Sequence, residues 1–139
     1  MSSKLLRSAE VLAPELAPYL RGCTQEMLVV PRCNQCGHYQ FPPRSLCRVC
    51  GHDTFAWTQI AGRGSLYSWT TTHRVSAPEF RPITPYTVVV VSLDLPEELR
   101  MVGRLRQTGI VPDLHIGDAM TCSFETLTNG DVLAVWSPR

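Results

Sequence analysis

Between Cys33 and His52 the chain reads CNQCGHYQFPPRSLCRVCGH, two Cys-X-X-Cys pairs in twenty residues. Four thiols at this spacing can bind a metal ion, close disulfides or act as a redox dithiol. Each Cys-X-X-Cys turn aims two sulfurs at one point, and a tetrahedral zinc ion takes four such ligands in a segment too small to enclose it with an apolar core. Gly37 and Gly51 follow the second cysteine of each pair. A glycine there adopts positive φ without steric cost, so the backbone can turn around the ion and point amide hydrogens at the thiolates. Ten residues separate Cys36 from Cys47, a span suited to a hairpin that brings the turns together. Two such pairs without a βαβ pattern do not fit a thioredoxin-type dithiol. Cys33, Cys36, Cys47 and Cys50 are therefore read as zinc ligands. A catalytic zinc keeps a coordination position open, whereas four cysteines fill all of them, so the expected role is structural.

The neighbouring residues carry less. His38 and His52 read as surface histidines beside an anionic centre, and Arg32, Arg44 and Arg48 as neutralising neighbours or ordinary solvated charges. Cys122 reads as a small buried hydrophobe, and Cys23 as a lone thiol with no identifiable partner.

The elements that must hold these residues follow from periodicity. Leu5, Leu6, Ala9, Leu12, Ala13 and Leu16 fall near helical spacing, but Pro14 and Pro18 cannot both lie inside one helix, which predicts one or two short helices ending near Gly22. MLVVPR, from Met27 to Arg32, predicts a short strand with Pro31 at an edge or strand end. TFAWTQI and GSLYSWTTTHRV predict two more, the second with Tyr67 and Trp69 sharing a core-facing side. The connection from His73 to Tyr86 contains three prolines, from which no regular element is expected. YTVVVVSLDL is apolar on both faces, hence central or covered. In LRMVGRLRQ, Leu99, Met101, Gly103 and Leu105 alternate with a cationic face of Arg100, Arg104 and Arg106. AMTCSFETL places Met120, Cys122 and Phe124 together, a turn is expected around Pro112 and Gly117, and TNGD is a hairpin signal before VLAVW. Five strands after a cysteine module predict a mainly β chain ending in a small closed barrel. The expected division is 1–26 helical segment, 27–59 zinc ribbon and 60–139 OB-fold domain.

Composition bounds the partners. Of 139 residues, 44% are apolar and 18% charged, a globular balance with no run long enough to span a membrane. The first twenty-two residues lack the continuous apolar core of a secretory signal, so the expected location is cytoplasmic, where thiols stay reduced. Formal charge is +1 and falls to about −1 once four thiolates and a zinc ion are included, which does not advertise a nucleic-acid partner.

PRCNQCGHYQFPPRSLCRVCG, then Trp57, GRGSLYSWT, PEFRPITPYTVVVVSLD and IGDAMTCSFE, resembles throughout its length a family of acyl-CoA-associated proteins, long catalogued as a domain of unknown function, that join a rubredoxin-like zinc ribbon to an OB-fold barrel. The resemblance implies a thiolase-like catalytic partner, as in thiolase assemblies of isoprenoid synthesis, acyltransferases, benzoylsuccinyl-CoA thiolase and steroid side-chain aldolases. It implies a hetero-oligomer in which the partner supplies the catalytic groups and this chain supports assembly and the substrate channel, with acyl-CoA at the interface. His73 and His115 sit in no Ser-His-Asp or Cys-His context, and no catalytic residue is expected on this chain. Candidate contacts with the partner or CoA are His73, Arg74, Phe80 and Arg81 on the proline-stiffened loop, together with Arg100, Arg104 and Arg106; Phe80 either anchors in a partner or folds back on the barrel. The rival readings are a module for single-stranded nucleic acid, with Tyr67 and Trp69 as stacking platform, and a free-standing acyl-CoA binding protein.

Overall fold

The computed structural model describes residues 14–109, 112–127 and 130–139. Pro14 opens a 3-10 turn, Pro14–Leu16, and Pro18 lies in the first turn of helix α1, Ala17–Thr24, where its missing N–H has no partner to lose. Residues 1–13, which carry the first part of the expected helical pattern, lie outside the described residues. Gly22 lets α1 approach the next strand: a Cβ there would stand 2.8 Å from Val29 Cγ2.

Strands β1, Val29–Cys33, and β2, Phe55–Gln59, form an antiparallel pair from Val29 opposite Gln59 to Cys33 opposite Phe55. Both strands of a two-stranded sheet are edges, so Pro31 is tolerated there. Its carbonyl accepts the Gln40 N–H at 3.1 Å, and an isolated bridge joins Arg32 to Tyr39. The excursion between the two strands carries both cysteine pairs.

The remaining five strands are β3, Arg63–Thr72, β4, Tyr86–Leu93, β5, Arg100–Leu105, β6, Ala119–Thr126, and β7, Val132–Pro138. They close as a barrel in the order β3-β4-β5-β7-β6, antiparallel throughout except for the β5–β7 pair, and β6 returns to β3 between Arg63 and Ser65. This is the expected five-stranded OB-like barrel. β4 is central, with Thr87, Val89, Val91 and Leu93 buried inside and Val88 and Val90 half-buried outside. Leu66, Met101, Leu105, Met120 and Trp136 complete the interior, and Leu28, Val30 and Ile60 extend the same cluster to the ribbon. Gly103 is required by Trp136, whose Cδ1 would lie 2.6 Å from a Cβ at that position.

Three expectations change. The loop from His73 contains a 3-10 helix, Pro78–Ile83, because Pro78 presets the first φ and Pro82 loses no hydrogen bond in so short a turn. Tyr67 and Trp69 are 47% and 38% exposed rather than core, and they do not share a face. A register shift between Leu66 and Ser68 leaves Tyr67 unpaired and sets Trp69 opposite Val89. Cys23 is not isolated: it is fully buried where α1 packs on β7, with Tyr19 one turn away on the same helix and the Ala134 backbone beside it. The turn expected around Pro112 and Gly117 forms at Ile116–Gly117, where the Gly117 N–H donates to Leu66 O at 2.8 Å. The hairpin between β6 and β7 is present, although Thr128 and Asn129 of its expected turn lie outside the described residues.

Candidate functional site

The two cysteine pairs converge. Cys33 Sγ lies 3.6 Å from Cys50 Sγ, Cys36 Sγ lies 3.6 Å from Cys47 Sγ, and all four sulfurs fall within 4.8 Å of one another. A tetrahedral zinc with Zn–S bonds of about 2.3 Å sets sulfurs about 3.8 Å apart, so the cluster has the dimensions the ion requires. The turns repeat one hydrogen-bonding scheme. Gly37 N–H donates to Cys33 O at 3.0 Å and Gly51 N–H to Cys47 O at 2.9 Å, with both glycines at positive φ, 76° and 77°.

Backbone amides then point at the sulfurs. The Cys50 and Val49 amides hold the Cys47 thiol down to about 6, and the Cys36 amide lowers Cys33. At Cys36 the His38 amide pulls the same way, but desolvation and the neighbouring thiols outweigh it and push the group up to about 12. A metal ion binds all four sulfurs as thiolates and displaces whatever protons they carry. This is a structural zinc centre, and what the ion supplies when bound is the cross-link between the two turns.

Gln40 was invisible as a functional residue in the sequence. It is 2% exposed, its Oε1 accepts the Arg48 N–H at 3.1 Å, and its Nε2 donates to Leu46 O at 3.3 Å, which fixes the second turn from behind. Arg32 braces the first, donating from Nε to Gly37 O at 2.9 Å beneath the Tyr39 ring. His38 faces Glu97 of the β4–β5 loop at 4.0 Å and so touches the barrel rather than solvent alone.

The other candidate residues separate into two groups. His73, Arg74 and Arg81 are exposed on the β3–β4 loop and make no ion pair among the described residues, whereas Phe80 folds back, its ring 6.4 Å from that of Tyr86. The loop is tied down by Gln107, whose Nε2 donates to Ile83 O and Pro85 O at 2.8 and 3.3 Å. Beside it a cleft of about 330 Å³ opens between Tyr86, Leu105, Arg106 and Pro112. The cationic face of β5 is largely committed internally. Arg100 pairs with Glu98 and covers the Tyr67 ring at 3.8 Å, Arg104 Nη2 donates to Glu125 Oε2 at 2.7 Å, and Arg106 Nη1 donates to Ser123 Oγ at 3.0 Å. With Arg100 over Tyr67 and Trp69 on the other register, the two rings do not form the stacking platform of the rival nucleic-acid reading.

His115 lies on an exposed turn between Asp113, 3.6 Å from Nε2, and Asp118, 3.9 Å from Nδ1. No helix among the described residues is long and apolar enough to cross a membrane.

Residues 21–56 match the family model for the rubredoxin-like zinc ribbon domain of ChsH2, and residues 57–125 match that for the C-terminal OB-fold domain of ChsH2. A DUF35 domain-containing scaffold protein of Methanocaldococcus jannaschii is 30% identical over 79 residues, 56% of this chain and 54% of that one. Benzoylsuccinyl-CoA thiolase subunit BbsA of Thauera aromatica is 34% identical over 96 residues, 69% of this chain and 58% of that one. The chain thus spans little more than half the length of these two curated relatives. Among solved structures, a chain of an Ltp2-ChsH2(DUF35) aldolase superposes with a TM-score of 0.76 at 29% identity, covering 89% of this chain and 94% of that chain. The chain belongs to the DUF35 family, a rubredoxin-like zinc ribbon joined to an OB-fold barrel.

Proposed function

We propose that this chain is a non-catalytic subunit of a complex with a thiolase-superfamily enzyme that makes or breaks a carbon-carbon bond in an acyl-CoA thioester. The observation that carries the reading is the likeness, over 89% of the chain, to the DUF35 chain of an Ltp2-ChsH2 aldolase, supported by the likeness to a thiolase subunit and to a scaffold protein. On this reading the zinc centre keeps the ribbon in one conformation, so that a large partner meets a preformed surface and little entropy is lost on docking.

The β3–β4 loop is the contact region toward the partner's substrate channel. His73, Arg74 and Arg81, which make no ion pair among the described residues, and Arg106 at the adjoining cleft form an end of the barrel suited to phosphate groups of a CoA thioester held at the interface. Arg100 and Arg104 would meet phosphate only after leaving Glu98 and Glu125, and Phe80 contributes by holding the loop on Tyr86 rather than by inserting into the partner.

The test is affinity capture of the tagged, zinc-loaded chain from its native cytosol, with retained proteins identified and the complex assayed on CoA thioesters. A thiolase-like chain retained in fixed proportion, with activity absent from the isolated chain, is the expected result. Carbon-carbon cleavage by the isolated chain at the rate of the complex would overturn it. Retention of nucleic acid that weakens steeply with salt, or micromolar CoA-thioester binding without a protein partner, would favour the rival readings.

A further inference from the structure

One edge of the ribbon sheet is left open. Ile60 N–H donates to Leu28 O at 2.9 Å and Asn34 N–H to Thr54 O at 3.1 Å, so in the register of β1 and β2 the even-numbered residues of β2 turn their backbone groups toward β1. Backbone direction alternates along a strand, and the amides and carbonyls of Phe55, Trp57 and Gln59 therefore point away from it. None of these groups has a hydrogen-bond partner among the described residues. The outer edge of β1, by contrast, is closed by the segment that follows the first zinc turn: Cys33 N–H donates to His38 O at 2.9 Å, and Pro31 O accepts from Gln40.

β2 also lacks the devices that keep an open edge from pairing. Its sequence, FAWTQ, has no charge, proline or glycine, and its register with β1 is unbroken. The open stretches of the barrel are guarded: β3 is bulged at Tyr67, β5 carries Arg100 and Arg104, and β6 carries Glu125. An edge of alternating donors and acceptors is satisfied by another strand.

We propose that β2 is a pairing edge for a second copy of this chain, the two β2 strands running antiparallel about a two-fold axis at Trp57 and joining two ribbons into one four-stranded sheet. The register selects this occupant. With Trp57 opposite Trp57 of the second copy, Phe55 faces Gln59 and Gln59 faces Phe55, so every outward residue of one strand meets an outward residue of the other and no donor or acceptor is left over. The half-buried Trp57 rings meet at the axis as an aromatic cross-strand pair. The strands themselves carry no like charges to repel, and the ends complement each other. Asp53 falls opposite Ala61 of the second copy, two residues from its Arg63, and both charged residues are exposed and in no ion pair among the described residues. A two-stranded sheet is marginal by itself, whereas one of four strands is not. The inference does not depend on the accessory-subunit reading.

The experiment is sedimentation of the zinc-loaded full chain over a range of concentrations, with residue-resolved amide exchange on the same samples, for the wild type, Gln59→Pro and Ala56→Lys. Gln59→Pro deletes an outward N–H that β1 does not use, and Ala56→Lys sets a charge at an exposed position of the edge. The proposal expects a monomer–dimer equilibrium whose Kd rises at least tenfold in each variant with zinc content unchanged, and slower exchange at Phe55, Trp57 and Gln59 as concentration increases. If Gln59→Pro loses its metal, Ala56→Lys decides, since it leaves the backbone pairing with β1 in place. A chain that stays monomeric at every concentration, or a dimer whose Kd stays within twofold in the variants, would overturn it. Protection of the three amides only when a thiolase-like subunit is added would also overturn it and give the edge to a strand of that subunit. Failure to bind any thiolase-like subunit would overturn the accessory-subunit reading and leave this one standing.

Discussion

The zinc turns and the barrel are stabilised by different physics within one chain. From Cys33 to His52 the backbone is held by four sulfurs, by amide hydrogens aimed at them and by one buried glutamine, with few apolar side chains inside. From Arg63 onward the chain is held by volume: Val89, Val91, Met101, Met120 and Trp136 fill a closed barrel. One region answers to metal and protons, and the other to cavities and overpacking. They meet at Val30 inside β1 and at Leu28 and Ile60 beside the ribbon's strands, all three part of the barrel's cluster, so the core should survive loss of the turns.

Removing zinc is the largest perturbation. A strong chelator at neutral pH takes away a binding free energy on the order of 10 kcal/mol. The four ligand thiols should become reactive to a thiol reagent while Cys23, buried on the inner face of α1, stays protected. Simultaneous exposure of Cys23 would mean the two regions are one cooperative unit. Trp136→Ala strikes the other side of the comparison. It empties the site against Gly103 and should cost about 3–5 kcal/mol in denaturant unfolding while leaving zinc stoichiometry unchanged.

Gln40→Ala is a smaller change aimed at the ribbon alone. It strands the Arg48 amide and the Leu46 carbonyl, with an expected cost of about 1–3 kcal/mol, and should weaken zinc binding by about 10- to 100-fold in a competition titration. The smallest effect at neutral pH belongs to the half-buried thiol of Cys122. Burial, with the nearby Cys23 as second cause, raises Cys122 from its ordinary 9.0 to about 12. A group whose folded pKa is raised contributes stability below its unfolded value and loses it on going up, so the barrel should weaken as pH climbs from about 9 toward 12. A Cys122→Ala variant should show a flatter alkaline limb in a melting series.

Legibility in the sequence divided along the same line. The zinc ligands were readable because every requirement, two sulfurs per turn and a glycine after each, sits within a few consecutive residues. The barrel strands were readable where apolar alternation was strong, as in Thr87 to Leu93, but the register of β3 was not. Its residues past Leu66 are Tyr, Ser, Trp and Thr, whose alternation marks no single buried face, and only pairing with Val89 and Val90 fixes the bulge. The pairing of Arg104 with Glu125 joins residues 21 apart, and Gln40 resembles any polar loop residue until Arg48 and Leu46 fold over it. Local chemistry could be read directly, whereas contacts created by closure could not.

The account rests on this chain serving a catalytic partner rather than acting alone. Its most direct test is turnover of a CoA thioester by the thiolase-like subunit, measured with and without the zinc-loaded chain and followed by native mass spectrometry of the same mixture. The prediction is activity that requires both chains and a mass corresponding to a fixed ratio, with one zinc on each copy of this chain. A fully active partner beside a free monomer of this chain would contradict it.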